Sequence, residues 1–305
     1  MSLSVIKYNL NSDYLISEYV TNVSMMNKLT AREYHARLKT FRKFVEDKYS
    51  LGLADLILKI KKNKEDAYSL LNSYATYLSE NRISTITLKQ RVVTIKNFLE
   101  YHDIDISPRR FKLKVKLPRT VRRNKEAISK EDIIEISNAA SDIRLKTFTM
   151  LLAATGMHAG EALSIRIKDL DLTHPSKLSI RGEYTKTRTD RTIFLTDEVA
   201  NQLKSWLDYK CRTRRVCYKG KQDGKTISEY RSPTMINTDL VFAVYQDIER
   251  PNYLWLYNDL LKSFQMTIDR MVKGAREDGN ERRRQITLHS FRRFVKNYHI
   301  RPRLC

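Results

Sequence analysis

The segment TGMHAGEALSIRIKDLDL (155–172) marks a change from one long apolar helix to a series of short elements. Before it, Leu145–Thr155 is nearly all apolar, which predicts a helix buried on most of its sides. Gly156 suits the left-handed backbone in which helices end, so we expect that helix to stop there. We predict that a short helix begins near His158 and that Leu170–Asp171 lies in a turn.

The residues on either side of this segment also predict short elements. Upstream, Ser129 and Asp132 have the spacing of a capping box, in which a hydroxyl and a carboxylate satisfy free amides of a first helical turn. Downstream, two short β-patterns flank the polar segment RGEYTKTRTDR and predict a hairpin. The expected elements are strands at Leu178–Ile180 and Thr192–Leu195, a helix at Asp197–Tyr209, a polar basic stretch at Arg212–Arg231, a strand at Leu240–Tyr245 and a long helix from about Leu254 to Asp278.

The first third of the chain has the pattern of a helical bundle. From Leu29 to about Ile104, apolar and aromatic positions recur at three- and four-residue steps. Thr30 and Glu33 have capping-box spacing, which predicts a helix start. Connections between helices are expected at Lys61–Asp66 and Asn81–Thr87. The aromatic residues of this region are most simply interpreted as core, and they include Tyr34, Phe41, Tyr74 and Tyr77.

The net charge points to a polyanionic partner. The chain has 305 residues, with 57 Lys and Arg against 35 Asp and Glu, so its formal charge is +22 at pH 7. Such a positive field concentrates polyanions, and nucleic acid is the commonest partner of that kind. An anionic membrane surface is the competing interpretation, but it requires a separate amphipathic basic helix, which we do not find.

The composition also bounds the architecture and the compartment. A hydrophobic content of 41% with only 8 Gly and 6 Pro excludes collagen-like and low-complexity chains and favours helices. Cys211, Cys217 and Cys305 form no disulfide framework, so a reducing interior is expected. The first twenty residues contain no signal-peptide core, and no apolar run reaches the roughly 20 residues of a membrane span. We therefore expect a soluble, cytoplasmic protein without membrane contact.

A strongly basic segment, SPRRFKLKVKLPRTVRRNK (107–125), separates the two regions. Nine of its nineteen residues are Lys or Arg and none is acidic, so like charges favour an open chain. Pro108 and Pro118 oppose a helix. We predict an extended linker whose cations contact the DNA backbone, with a solvated connector as the alternative. The predicted contacts are Arg109, Arg110, Lys112, Lys114, Lys116, Arg119, Arg122, Arg123 and Lys125.

Three blocks of this sequence resemble the motifs of the tyrosine recombinase (phage integrase) family, and they occur in the order that the family requires. The 155–172 segment is similar to a TGxRxxE motif, whose arginine grips the scissile phosphate. Lys186, in the predicted hairpin, matches a lysine that protonates the departing 5′ oxygen. His289 and Arg292, in HSFRR, match an HxxR motif, in which the histidine assists proton transfer and the arginine supplies a second phosphate clamp.

The resemblance covers roughly Leu29–Arg292 and implies two domains that close round duplex DNA as a clamp. It implies that a tyrosine attacks a backbone phosphate and forms a 3′-phosphotyrosyl link, which conserves bond energy for rejoining. Guanidinium forks stabilise the charge that develops on the phosphate oxygens. We therefore expect no metal and no other cofactor, and Cys211 and Cys217 have no partner at zinc spacing.

Two departures from the family pattern predict that the chain is catalytically impaired. His158 stands where the family has arginine, and an imidazole is mostly neutral at pH 7 and has no guanidinium fork. Glu161, which supports that arginine in the family, is present and is expected to raise the pKa of His158. The family's nucleophilic tyrosine lies a few tens of residues beyond HxxR. The only tyrosine after Arg292 is Tyr298, in what is predicted to be the same helix, so we expect no nucleophile there.

Together these patterns predict a mainly α protein with a small β-hairpin, an α+β fold. The expected domains are a SAM-like core-binding domain at 1–105, a basic linker at 106–127 and a recombinase-like catalytic domain at 128–305 that is incomplete at its C-terminus. The expected catalytic residues are His158, Lys186, His289 and Arg292, with Glu161 supporting them from behind.

The expected function is site-specific recombination and integration of a mobile element on double-stranded DNA. A homo-oligomer and a mixed oligomer with intact family members both remain open. The alternative from another class is a regulator that occupies a recombination site without chemistry. An RNA-binding protein is a third alternative, which competition between duplex DNA and RNA would test.

Overall fold

The computed structural model describes residues 3–120, 128–219, 226–244, 253–271, 273–274, 276–277 and 280–300. The chain divides into two compact units, Met1–Arg123 and Asn124–Cys305. The described residues are mainly helical with small antiparallel sheets, so the predicted fold class is confirmed. Within them, no helix has both the length and the apolar character needed to cross a membrane.

The first unit is a bundle of helices whose starts are marked by polar residues. Side-chain oxygens of Asp66, Ser84 and Ser107 accept hydrogen bonds from amides in the first turn of the helix that follows each of them. The helices are α1 (Leu3–Met26), α2 (Lys28–Tyr49), α3 (Leu53–Lys61), α4 (Ala67–Glu80), α5 (Thr85–Tyr101) and α6 (Pro108–Lys114).

The core of the first unit is rich in aromatic rings. Phe41 and Tyr74 are fully buried, and their ring centroids lie 5.0 Å apart in an edge-to-face arrangement. Tyr34 and Tyr77 are partly buried against the same core. The interpretation of these four residues as core is therefore confirmed.

The start of α2 differs from the prediction. Asn27 is the N-cap residue, and its Oδ1 accepts hydrogen bonds from the amides of Leu29 and Thr30 at 2.9 and 3.0 Å. The capping box predicted for Thr30 and Glu33 is wrong, because an asparagine three residues earlier already satisfies these free amides.

Part of the basic segment is helical, which corrects the prediction of an extended linker. Ser107 is the N-cap residue of α6, and Pro108 occupies the first turn, where its missing N–H would be unpaired in any case. Val115 is buried in the core of the first unit, and Phe111 and Leu117 pack against that core. These apolar contacts outweigh the repulsion between the neighbouring cations.

The second unit combines helices with small sheets. Ser129 and Asp132 form the predicted capping box at the start of the first helix of this unit. The elements are α7 (Lys130–Ala139), α8 (Ile143–Thr155), α9 (Ala159–Ser164), β1 (Leu170–Asp171), β2 (Lys177–Ile180), β3 (Arg191–Phe194), α10 (Asp197–Cys211), β4 (Arg214–Lys219), β5 (Thr226–Arg231), α11 (Tyr253–Arg270), β6 (Arg276–Glu277), β7 (Asn280–Arg284) and α12 (Leu288–Ile300).

One sheet has the antiparallel order β1-β2-β3. Strands β2 and β3 form the predicted hairpin, with Ile180 opposite Arg191. Leu170–Asp171 pairs with β2 as strand β1, so the turn predicted there is wrong. Two residues are too few to show a strand period, which explains why the sequence pattern did not indicate this strand.

Two further predictions for the second unit are wrong, and one segment contains strands that its pattern did not indicate. Arg212–Arg231, predicted only as a polar basic stretch, contains the antiparallel strands β4 and β5. The strand predicted at Leu240–Tyr245 is reduced, in its described residues, to one β-bridge. Helix α11 ends at Arg270, short of the predicted end near Asp278. Because β5 is largely exposed, it has no alternation of apolar residues from which a strand could be predicted.

Candidate functional site

The turn between α8 and α9 requires glycine at its first position. Gly156 has a φ of +62°, and its amide donates a hydrogen bond to the Leu152 carbonyl at 3.0 Å, which ends α8 as predicted. A Cβ at Gly156 would lie 3.0 Å from the side chain of Val295. The absence of a side chain therefore also permits the close approach of α12.

Arg292, on α12, is anchored to this turn. Its Nη1 donates a hydrogen bond to the Gly156 carbonyl at 2.8 Å. Leu288 and Phe291 of the same helix are buried in the core of the second unit. His289 and Arg292, three residues apart, share a different face of α12. One bond to Gly156 leaves the remaining N–H groups of the Arg292 guanidinium for another acceptor.

His158 is the N-cap residue of α9, as predicted, and Glu161 fixes the start of that helix. The His158 amide donates a hydrogen bond to Glu161 Oε2 at 2.9 Å. Glu161 is buried, and the same oxygen accepts a hydrogen bond from Arg191 Nη2 at 2.6 Å. This buried carboxylate is thus paired with a guanidinium from β3.

The imidazoles of His158 and His289 stack on each other. Their ring centroids lie 5.9 Å apart and their planes are inclined by 18°. Both side chains are exposed, so the pair is accessible to a ligand. Two residues that are distant in the sequence therefore form one surface.

Lys186 is exposed in the loop that joins β2 to β3. Internal hydrogen bonds hold this loop: Asp190 Oδ1 accepts from the Gly182 amide at 2.5 Å, and Thr185 Oγ1 accepts from the Thr189 amide at 3.2 Å. These bonds fix the backbone on both sides of Lys186.

Several groups shift the pKa of His158. Partial desolvation of its ring lowers this pKa most, followed by the positive charge of Arg292, with further lowering by Arg191 and Lys186. The negative charge of Glu161 acts in the opposite direction but does not prevail. The expectation that Glu161 raises the pKa of His158 is therefore confirmed, although desolvation and the positive charges outweigh this carboxylate and the net pKa is lowered.

The pKa of His289 is also lowered, first by burial and then by His158, Arg293 and Arg292. Both imidazoles are therefore mainly neutral at pH 7, and each offers one N–H donor and one acceptor nitrogen. An exposed imidazole pair surrounded by guanidinium and ammonium groups suits an anion with several oxygens, such as a phosphate.

The structure brings His158, His289, Arg292 and Glu161 together around the turn at Gly156, and Lys186 lies in the hairpin loop of the same unit. Tyr298 lies on α12, as expected, and its side chain is outside the described residues. Among the described residues, no group of three or more His, Cys, Asp or Glu is placed to hold a metal ion.

The predicted DNA contacts are described in part. Lys114 Nζ lies 3.7 Å from an Asp66 carboxylate oxygen, which partly compensates its charge. Arg122, Arg123 and Lys125 lie outside the described residues. The described contacts are all exposed, and they are Arg109, Arg110, Lys112, Lys114, Lys116 and Arg119.

Sequence reasoning did not assign Arg191 and Arg293 to the site. Arg191 reaches Glu161 because the β2–β3 hairpin packs against α9, which no local motif shows. Arg293 is half-buried and its Nη2 donates a hydrogen bond to Ser290 Oγ at 2.8 Å. It lies four residues after His289, so helical spacing would have placed it on the same face.

The second unit contains a hairpin lysine, a helix with an HxxR motif and a TGMHAGE turn. This combination is what the resemblance predicts for the catalytic domain of a tyrosine recombinase. The model of the phage integrase family matches residues 126–298, which is more than half of the chain. The chain belongs to this family.

The chain is similar to curated recombinases over part of their length. It is 26% identical over 133 residues to tyrosine recombinase XerA of Saccharolobus solfataricus, an alignment that covers 44% of this chain and 42% of that protein. It is 26% identical over 224 residues to tyrosine recombinase XerC of Rickettsia canadensis, which covers 70% of this chain and 68% of the relative. The alignment with the XerA protein thus spans less than half of that relative.

Solved structures show the same fold. A lambda integrase (75–356) dimer bound to a COC′ core site matches with a TM-score of 0.58 and 13% identity, covering 93% of this chain and 88% of that one. A post-cleavage complex of the XerH site-specific recombinase bound to palindromic difH substrate matches with a TM-score of 0.52 and 16% identity, covering 89% and 69%.

Proposed function

We propose that this chain acts in site-specific recombination by binding duplex DNA at a recombination site. The observation that carries the proposal is the open cluster of His158, Lys186, His289 and Arg292. These groups come from three separate segments, and together they suit one backbone phosphate. The formal charge of +22 supports a polyanionic partner.

Each side chain of the cluster has its own role in this proposal. Arg292 is anchored to Gly156 through one nitrogen and directs its other N–H groups to phosphate oxygens. When a tyrosine of another subunit attacks the phosphate, Lys186 donates a proton to the departing 5′ oxygen, and His289 assists proton transfer. Fixed cations stabilise the negative charge that develops on the phosphate.

We also propose that the chain assembles into oligomers on DNA. Two of the lambda integrase structures are a dimer bound to a core site and a tetramer bound to a Holliday junction. An oligomer would place more than one such cluster on the two strands of a site. Light scattering of the protein with and without duplex DNA would show the expected increase in mass.

We propose further that the 305-residue polypeptide binds DNA without forming a phosphotyrosyl link. His158 supplies no guanidinium fork. Position 298 lies six residues after Arg292, which is about 9 Å along the helix axis and on a different face. These features support a site that contacts the phosphate and in which Tyr298 is not the nucleophile.

The test has two parts. Fluorescence anisotropy with labelled duplex DNA should show that log affinity falls linearly with log salt concentration, because bound cations release counterions. Binding that is insensitive to salt, or that prefers RNA to duplex DNA, would contradict the proposed partner.

Nicked suicide duplexes should yield no labelled protein band on a denaturing gel, and an intact family recombinase on its own site serves as the positive control. A labelled adduct would contradict the proposed impairment.

A regulator without chemistry is the second candidate, and His158 favours it. A mixed-oligomer assay separates the two functions by supplying an intact family recombinase with its own tyrosine. If this chain takes part in the chemistry, cleavage in the mixture will decrease when Arg292→Gln replaces the wild-type chain at protein concentrations at which either chain saturates the DNA. A regulator predicts that the wild type and the variant affect cleavage equally.

A further inference from the structure

Arg191 holds a defined position beside the cluster. It begins β3, opposite Ile180, and its side chain is 37% exposed. Its Nη2 donates a hydrogen bond to Oε2 of Glu161, whose side chain is only 7% exposed. A charge-assisted bond to a buried acceptor fixes the guanidinium, while the exposed part of Arg191 stays accessible.

Arg191 and Arg292 are held at the two ends of one turn. Arg292 is bonded to the Gly156 carbonyl at the start of the turn, and Arg191 is bonded to Glu161 in the first turn of α9. His158 lies between these anchors in the chain, and both positive charges lower its pKa. Two guanidinium groups are therefore anchored to the segment 156–161, which contains His158.

The residue at position 158 does not provide a guanidinium itself. The imidazole of His158 is neutral at pH 7 and has a single N–H, whereas a guanidinium offers five in a planar fork. Glu161, which accepts the His158 amide, bonds the guanidinium of Arg191 from β3. The carboxylate that supports an arginine at position 158 in the family thus supports a different arginine in this chain.

We propose that Arg191 contacts the bound phosphate and supplies the second guanidinium of the site in place of residue 158. This inference rests on the proposed function, because it requires that the cluster binds a phosphate. The bond to Glu161 uses one N–H of Arg191, so the others are oriented by the anchored side chain and can meet phosphate oxygens. The competing role is structural, in which Arg191 neutralises Glu161 and does not touch the anion.

Titration with inorganic phosphate at pH 7 and constant ionic strength tests this inference on the full chain without DNA. The imidazole signals of His158 and His289 in proton–carbon NMR spectra report binding, and His158→Gln and His289→Gln assign them. We expect Arg191→Gln to weaken phosphate binding about tenfold, the effect of losing one charge-assisted contact. Arg188→Gln removes an equal charge from the same hairpin loop and should change the affinity less than about twofold.

A double variant keeps the test decisive, because Arg191→Gln alone leaves a buried carboxylate without its partner. Glu161→Gln with Arg191→Gln removes both charges, so the net charge is that of the wild type and the buried site holds no unpaired ion. A phosphate contact predicts about tenfold weaker binding in this double variant as well. A structural role predicts wild-type affinity.

The results distinguish failure of the Arg191 contact from failure of the proposed phosphate site. Weaker phosphate binding in the folded double variant, together with little change in Arg188→Gln, supports Arg191 as a phosphate contact. Wild-type affinity in the double variant overturns that role and leaves the proposed function intact. No response of either histidine to phosphate in the wild type would instead overturn the phosphate site itself.

Discussion

The aromatic core of the first unit and the imidazole cluster of the second are both groups of ring side chains, yet their environments are opposite. Phe41 and Tyr74 are fully buried, and burial raises the pKa of Tyr74 to about 12, so this core carries no charge across the usual pH range. His158 and His289 are exposed and face several cations. The aromatic core carries no charge that needs a partner. The imidazole cluster holds positive charges near each other, and a bound anion would compensate them.

The largest effect is expected in the core of the first unit. Phe41→Ala should lower the free energy of unfolding by about 3–5 kcal/mol, because it removes a fully buried ring and leaves a cavity. Tyr14→Ala, at a tyrosine that is 64% exposed, is the control and should change it by less than about 0.5 kcal/mol. Urea denaturation followed by circular dichroism measures both. Similar losses in the two variants would contradict the description of this core.

A smaller loss is expected at the turn that anchors Arg292. Gly156→Ala should destabilise the protein by about 1–3 kcal/mol, because alanine is strained at a φ of +62° and its Cβ would press on Val295. Gly160→Ala is the matched control, since a Cβ there meets nothing within 4 Å and alanine favours a helix. Thermal denaturation of both variants would show whether the turn is as constrained as described, and equal melting temperatures would contradict it.

A similar or smaller effect is expected for anion binding at the cluster. Arg292→Gln should weaken binding of inorganic phosphate about tenfold, or roughly 1.4 kcal/mol, because a guanidinium contact is lost. Lys296→Gln removes an exposed charge from the same helix and should have less than about a twofold effect. Isothermal titration calorimetry would compare them, and equal losses would mean that only net charge attracts the anion.

The smallest effect is a pH dependence of stability. The pKa values of His158 and His289 in the folded protein are below their ordinary value of 6.5, so the unfolded chain binds more protons in the window below that pH. Stability is therefore full above about pH 6.5 and decreases as the pH falls below it. The double variant His158→Gln and His289→Gln should show a flatter profile in urea denaturation. An equally steep profile would contradict the lowered pKa values.

A bound anion should reverse this pH trend. It favours the protonated imidazoles, so the affinity for sulfate, whose own charge is constant in this window, should increase as the pH falls. His102 of the first unit is buried, and burial lowers its pKa as well, so it also contributes to the pH dependence of stability. Because His102 does not belong to the imidazole cluster, it should not affect the pH dependence of anion affinity.

Local patterns predicted the helices and several of their ends. The apolar run before Gly156, the capping box of Ser129 and Asp132, and the hairpin around Lys186 all depend on residues close in sequence, and the structure confirms them. Strands β1, β4 and β5 were missed because they are short or exposed and lack an apolar period.

The contacts between the residues of the site could not be predicted from local sequence patterns. The motifs identified His158, Lys186, His289 and Arg292 as candidates, but the stacking of the two imidazoles depends on how α12 packs against the turn at Gly156. The bond between Arg191 and Glu161 depends on how the β2–β3 hairpin packs against α9. Such long-range contacts leave no period in the sequence.

The direction in which the pKa of His158 shifts also could not be predicted from the sequence. Glu161 is near in sequence and raises this pKa, as expected, whereas Arg292 and Lys186 lower it from distant segments. Only their arrangement in space determines which effect prevails.

The central claim is that the imidazole cluster binds one backbone phosphate, and a crystal structure of the chain with duplex DNA tests it most directly. We predict one phosphate within hydrogen-bonding distance, about 3 Å, of Arg292 and His289, with Lys186 beside it. DNA that contacts only the exposed cations between Arg109 and Arg119, while His158 and His289 face solvent, would contradict phosphate binding at the cluster.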